Sequence, residues 1–308
     1  MKSDQKEKPI QPILATSLGI LFVSTASIFI RFAQVEASSI VIAAARLIIA
    51  SLVLIPIAKF KYWHEYKTLS QSDIARAILS GLFLALHFAV WISSLQYTSV
   101  ASSVVLVTTT PLWVALFSPL ILKETIRKSL LIGLIISIIG GVIVGLGNSC
   151  LFENGQFVCE TQIIRTNGML GNFLALCGAW MAAGYMMMGR QLRKKLSTIS
   201  YTALVYGVAA VLLLIVVVLR AEPVFSYSSE TYFWFLALGI IPQLLGHSLF
   251  NWSLKYISAA YVSLSLLGEP IGTILLALIF LKESPTLLEG VGAAIILIGI
   301  VVGSPKKT

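Results

Sequence analysis

The sequence is poor in charge. Only 11% of its 308 residues are Asp, Glu, Lys or Arg, against 57% that are hydrophobic. A water-soluble domain carries roughly a quarter charged residues, so the soluble class is excluded and the membrane class follows. Acidic residues are scarcest, 13 against 22 basic ones, which leaves a net charge of +9. That excess does not point to nucleic acid, because the basic residues sit in short clusters between apolar runs, where they set topology. Cysteine and histidine occur three times each. No Cys or Asp lies beside His87 or His247, so a metal site has no ligand set and none is expected. Gly-x-Ser-x-Gly, His-Glu-x-x-His and the glycine loop that cradles phosphates are also missing. No cofactor is expected, and an ATP-driven mechanism has no motif to support it. No cleavable signal peptide is expected, because the start is polar and the first apolar run is full length.

What the chain does contain is a stretch that occurs twice. Residues 95–124 match residues 254–283 at a constant shift of 159, with no gap. Leu95, Tyr97, Ser99, Ala101, Pro111, Leu116, Leu122, Lys123 and Glu124 recur as Leu254, Tyr256, Ser258, Ala260, Pro270, Leu275, Leu281, Lys282 and Glu283. The same shift carries Gly133 and Gly140 onto Gly292 and Gly299, and Gly19 and Arg31 onto Gly178 and Arg190. About half the chain is an internal duplication.

Each copy has a proline midway along an apolar run, Pro111 and Pro270. A proline in a helix removes an amide donor, so the carbonyls of Val107 and Leu266 need new partners. In lipid such a break is tolerated only against protein or a water-filled cavity. Matched breaks in two halves point to a transporter's binding site.

Ten segments are long enough to span a bilayer, near 13–33, 38–58, 74–95, 99–121, 129–147, 168–188, 199–219, 232–252, 258–281 and 286–303. With the N-terminus cytoplasmic, the inner segments hold seventeen Lys and Arg and the outer ones four, with Arg46 inside the second span. Both termini are therefore expected in the cytoplasm. Five spans per copy is an odd number, so the second copy runs upside down. The expected fold is an all-α integral membrane protein with ten transmembrane helices in two inverted five-helix repeats. Residues 1–12 and 304–308 form cytoplasmic tails, 13–147 the first repeat, 148–167 an extracytoplasmic hairpin and 168–303 the second repeat.

The stretch 246–283, with its Gly268-Glu269-Pro270 step, resembles the eighth and ninth helices of the drug/metabolite transporter superfamily, EamA type. The resemblance extends from about 13 to 303. It implies secondary transport of small metabolites by alternating access, with amino acids and related polar or amphipathic solutes as the default class and export as the direction. The sequence departs from the family at two places: Lys123 precedes Glu124 where Gly is more usual, and Thr110 stands where the second half has Glu269.

Several residues could carry the function. In span nine Tyr261, Ser265, Gly268, Glu269 and Gly272 share one face at helical spacing. Such a stripe either packs against a helix or lines a cavity. Glu269 is ionisable in mid-span. It reads either as a coupling group, charged when wet and neutral when dry, or as a repair of the backbone near Pro270. Span three offers His87, Trp91 and Ser94, and span eight offers Gln243, His247 and Asn251, each set on one face. Buried histidines also bond neighbouring helices, so both readings stand. Span four contributes Thr109, Thr110 and Trp113 around Pro111, and span six Trp180, Gly184 and Tyr185. Trp91, Trp113 and Trp180 lie deep in their spans, where aromatic faces could hold a cation or a flat side chain. Arg46 reads as a structural partner in the bundle ahead of a carboxylate reader. Met186, Met187 and Met188 resemble a metal box but point in three directions, and read as gap-fillers and lipid contacts.

Between the halves, Asn154-Gly155 is a strong hairpin signal. Folding there pairs Glu153 with Gln156, Phe152 with Phe157, Leu151 with Val158 and Cys150 with Cys159. A Cys150–Cys159 disulfide is expected, since the pair falls within disulfide reach on the side of the membrane expected to be oxidising. Cys177 reads as a small buried hydrophobe. The expected partners are a small-molecule substrate and the lipid bilayer, with the proton as candidate coupling ion. Monomer and homodimer are equally compatible with the sequence. A facilitative, channel-like permease and an integral-membrane enzyme are the alternatives. Short loops argue against the enzyme, and matched helix breaks argue against the channel.

Overall fold

Lipid offers the backbone no hydrogen-bond partners, so apolar runs of this length must satisfy their own N–H and C=O groups as helices. The structure, a computed structural model, describes residues 12–98, 100–147, 150–153, 156–159, 168–276 and 287–303. The first half contains α1 (Pro12–Val23) and α2 (Ala26–Ala33), then α3 (Ser39–Lys61), α4 (Trp63–Tyr66) and α5 (Gln71–Tyr97). It ends with α6 (Val100–Val107), α7 (Thr110–Ile121) and α8 (Lys128–Gly147). A hairpin follows, β1 (Cys150–Glu153) and β2 (Gln156–Cys159). The second half contains α9 (Gly168–Leu192), α10 (Thr198–Leu219) and α11 (Ser229–Leu238), which runs through a π-helical stretch, Gly239–His247, into α12 (Ser248–Ser253). Then come α13 (Ala259–Ser265), a 3₁₀ turn at Leu266–Gly268, α14 (Glu269–Leu276) and α15 (Leu287–Gly303). Six segments are apolar and long enough to cross a membrane, and Thr110–Ile121, Lys128–Ile143 and Gly290–Gly303 are shorter apolar helices. Asn154, Gly155, Arg165, Lys282, Glu283 and both tails, with residues 1–11 and 304–308, lie outside the described residues.

The duplication is visible in the contacts. α8 and α15 pack along one another. A Cβ on Gly133 would lie 2.4 Å from the Gly299 carbonyl, and one on Gly140 would lie 2.7 Å from the Gly292 carbonyl. Early residues of α8 thus face late residues of α15, so the two helices are antiparallel. They are also repeat mates, because Gly133 corresponds to Gly292 and Gly140 to Gly299. Two copies of one helix that run in opposite directions make the repeats inverted. Halfway along, the Ser137 hydroxyl donates to the Ile296 carbonyl at 3.3 Å. These two residues are themselves repeat mates, and a residue that touches its own mate lies on the pseudo-two-fold axis.

Helix starts are set by the same residues in both halves. The Ser38 side chain accepts from Val41 N–H, and Ser197, its mate, accepts from Ser200 N–H. Each caps an otherwise unpaired donor of the first turn. Gln34 and Arg193, also mates, tie the preceding helix to the same two places. The Gln34 amide donates to Ile92 O at 3.0 Å and Ser39 Oγ at 3.1 Å. Arg193 donates to Asn251 O at 2.8 Å and Thr198 Oγ1 at 2.7 Å, and also to Leu196 O. Two residues further on, Glu36 accepts from Ser228 N–H and the Thr231 hydroxyl, which hold its exposed carboxyl below the usual carboxylate range. Its mate Lys195 reaches Asp73 at 2.6 Å.

The hairpin has the register expected from Asn154-Gly155, with Cys150 opposite Cys159, Leu151 opposite Val158, Phe152 opposite Phe157 and Glu153 opposite Gln156.

Candidate functional site

The fourth and ninth spans break at equivalent places. α6 ends at Val107 and α7 restarts at Thr110, while α13 ends at Ser265 and α14 restarts at Glu269. The prolines therefore stand in the first turn of the second piece, where a missing N–H costs nothing, and not inside a continuous helix. The carbonyls at issue find different partners. Val107 O accepts from the Thr110 hydroxyl at 2.7 Å. Leu266 O accepts from the Glu269 backbone N–H. The Glu269 carbonyl takes the Ser24 and Thr273 hydroxyls at 3.0 and 3.1 Å. Among the described residues no donor is bonded to the Glu269 carboxyl, so the backbone is repaired without it.

A cavity of about 70 Å³ lies between the halves. Its walls include five pairs of repeat mates: Val23 with Ala182, Ala26 with Tyr185, Trp91 with Phe250, Val107 with Leu266, and Thr110 with Glu269. A site lined by mates from both halves straddles the pseudo-two-fold axis. His87, Thr108, Met186, His247, Asn251 and Leu254 complete it.

Its polar groups are few and oriented. His87 Nδ1 lies 2.9 Å from Gly178 O. A carbonyl only accepts, so Nδ1 carries the hydrogen and the neutral ring leaves Nε2 as an acceptor. The ring stacks on Trp91 at 5.8 Å, and Trp91 Nε1 is buried with no protein partner. Asn251 donates through Nδ2 to the Tyr185 and Tyr206 hydroxyls at 2.5 and 3.2 Å, which leaves Oδ1 buried without a partner. The wall residues thus hold an unpartnered donor at Trp91, unpartnered acceptors at His87 and Asn251, and the carboxyl of Glu269; Trp91 Nε1 and Asn251 Oδ1 are closed off from the cavity in this conformation.

Of the candidate residues singled out in the sequence, His87, Trp91, Thr110, Tyr185, Met186, His247, Asn251 and Glu269 stand in this wall. The others lie elsewhere. The Thr109 hydroxyl donates to Leu106 O and accepts from Trp113 Nε1. Trp113 packs edge-on against Trp180 at 5.2 Å, and Trp180 is 37% exposed on the flank of the bundle. Tyr261 and Ser265 are buried in packing, and the Ser265 hydroxyl donates to Tyr261 O. The expected common face of span nine fails because the 3₁₀ turn at Leu266–Gly268 advances the chain about 120° per residue, against about 100° in an α-helix. Span eight departs for a related reason. Pro242 sits in the π-helical stretch, a wider winding common at functional sites. Gln243 is not in the cavity wall with His247 and Asn251, and accepts from Arg46 Nε at 3.0 Å. The apolar wall was missed, yet the 159 shift holds the signal: Phe250 and Ala26 are the mates of Trp91 and Tyr185.

Two inverted repeats around a central, mostly apolar cavity with one carboxyl group define a membrane transporter. The profile of the EamA-like transporter family matches residues 11–146 and again 169–304. The chain belongs to that family, within the drug/metabolite transporter superfamily, which is a family of transporters and not of enzymes. An uncharacterized transporter of Clostridium kluyveri is 24% identical, over 84% of this chain and 82% of its own. The uncharacterized transporter YetK of Bacillus subtilis is 23% identical, over 85% and 77%. A solved crystal structure superposes with a TM-score of 0.74 over 94% of this chain and 95% of its own, at 19% identity, and shows the fold alone.

Proposed function

We propose that the chain is a secondary transporter that carries small amphipathic solutes, amino acids and related metabolites, out of the cell by alternating access. The observation that carries this reading is the cavity on the pseudo-two-fold axis, into which Glu269 brings a carboxyl group that takes no part in repairing the helix break. Apolar walls suit the body of such a solute, and a few placed polar groups fix its orientation. Glu269 either exchanges a proton as the cavity changes sides or neutralises an amino group of the solute. The proton is the proposed coupling ion. Both termini are proposed to be cytoplasmic, from the distribution of Lys and Arg. That places the Cys150–Cys159 hairpin outside, where a disulfide is permitted.

The test is counterflow in liposomes. Purified protein is reconstituted and loaded with unlabelled amino acids, and uptake of the labelled compounds is followed. Saturable uptake that overshoots equilibrium supports a carrier. Linear, non-saturating flux without counterflow favours the channel-like permease. Impermeant maleimide labelling of Ser3→Cys or Thr308→Cys in intact cells would overturn the orientation.

A further inference from the structure

Arg46 lies in mid-span on α3 and is 0% exposed. Its Nε donates to Gln243 Oε1 at 3.0 Å, and its guanidinium centre sits 4.0 Å from the centroid of the Phe88 ring. Nη1 and Nη2 are buried, and no protein group accepts from either. Among the described residues no carboxylate lies within ion-pair distance of it: the ion pairs are Arg76–Asp73, Arg190–Glu124 and Lys195–Asp73. A full positive charge with two free, parallel donors in the middle of a membrane is costly unless an acceptor meets it. Gln243 is neutral and already occupied on its oxygen, and Phe88 compensates only through its face.

The place of Arg46 relative to the cavity is defined by aromatic rings. Phe88 packs against His87 at 4.8 Å and edge-on against His247 at 5.3 Å, and both histidines line the cavity. Arg46 is therefore one aromatic layer behind the wall. The carboxyl group of Glu269 is in the wall itself, within electrostatic reach of Arg46.

We infer that Arg46 is the binding position for a small anion, which bridges Nη1 and Nη2 when Phe88 swings aside; in this conformation no water-sized space adjoins either nitrogen and Arg46 stands outside the cavity wall. Its planar fork fits a carboxylate with two parallel bonds, and a halide would satisfy the same donors singly. The anion is either the carboxylate end of the solute or a free inorganic anion. The carboxylate version rests on the transporter reading: a zwitterion would set its ammonium group at Glu269 and its carboxylate at Arg46 once Phe88 swings aside. The inorganic version stands without that reading.

The test is thermal unfolding of the purified, detergent-solubilised protein, titrated separately with sodium acetate and sodium chloride. Wild type, Arg46→Gln and Gln243→Glu are compared, so that general salt effects cancel. Wild type should show a saturable rise of about 2–4 °C beyond the salt response of the variants, as a ligand at roughly ten times its Kd gives in a chain of this size. Arg46→Gln removes the fork and should lose that rise. Gln243→Glu places a carboxylate beside the guanidinium, so its midpoint should begin higher and stay flat. It decides alone if Arg46→Gln does not fold. A rise with acetate alone assigns the site to the carboxylate of the solute, and a rise with chloride as well assigns it to a free anion. Responses equal in wild type and Gln243→Glu would overturn the proposal and leave Arg46 as a purely structural partner of Gln243. Because no transport is measured, failure here is separate from failure of the counterflow test.

Discussion

Positions 110 and 269 are repeat mates, and each begins the second piece of a broken span. Thr110 uses its side chain on the backbone, donating to Val107 O. Glu269 leaves that task to its own backbone N–H and keeps its carboxyl for the cavity. The same division runs through the two halves. Gln34 makes two neutral bonds where Arg193 makes three charged ones. Arg46 has Val205 as its mate, and Asn251 has Ile92. The halves share their backbone plan closely enough to build a symmetric cavity, while the ionisable carboxyl that faces it comes from the second half alone. Under the proposed alternating access, symmetry would supply the two directions of opening and asymmetry the chemistry.

The symmetric part breaks first. Gly133→Val and Gly299→Val each force atoms into backbone on the facing helix, and no side-chain movement relieves that. Both should lose folded protein in detergent, seen by size-exclusion profile. Gly141→Ala, where an added Cβ meets nothing within 4 Å, should behave as wild type. Equal tolerance at all three would remove the antiparallel contact on which the inversion rests.

Next in size is Asn251. Replacement by Leu removes the free Oδ1 and leaves the Tyr185 and Tyr206 hydroxyls without its amide donor. The half-saturating solute concentration should rise about tenfold, as loss of one hydrogen bond worth about 1–1.5 kcal/mol implies, with maximal rate changed less. An unchanged concentration would take Asn251 out of the site.

The tie of each half to its neighbour differs by charge, so Arg193→Gln should destabilise more than Gln34→Ala. Charge-assisted bonds are worth about 1.5–3 kcal/mol and neutral ones about 1 kcal/mol. Denaturation midpoints of the two variants would show the order, and the reverse order would break the comparison. The smallest expected effect is at Lys123, whose φ of 55° lies in the left-handed region. Lys123→Gly should raise stability by up to about 1 kcal/mol. A loss of stability there would mean that the lysine side chain outweighs its backbone strain.

Much of this is legible in the sequence for identifiable reasons. A constant shift of 159 with no gap implies two copies, an odd number of spans implies inversion, and Asn154-Gly155 implies the register seen in β1 and β2. The candidates of spans three and eight follow from periodicity, since His87 with Trp91 and His247 with Asn251 stay one turn apart. What is not legible depends on departures from 3.6 residues per turn. The 3₁₀ turn at Leu266–Gly268 sets Glu269 off the face of Tyr261 and Ser265, and Gln243, in the π-helical stretch around Pro242, pairs with Arg46. Trp113 and Trp180 satisfy one another at the flank, a preference that composition alone does not reveal.

The central claim is that one carboxyl group, offered by one half to a cavity built by both, drives transport. Its direct test is uptake into liposomes under imposed pH gradients, using the labelled amino acid that exchanges in counterflow. Wild type, Glu269→Gln and Thr110→Val are compared at equal amounts of folded protein. Glu269→Gln keeps the shape and removes the charge, so gradient-driven accumulation should vanish. Thr110→Val, which loses only a hydroxyl, should retain most of it. Wild-type rate and pH dependence in Glu269→Gln would contradict the account and return Glu269 to a structural role beside Pro270.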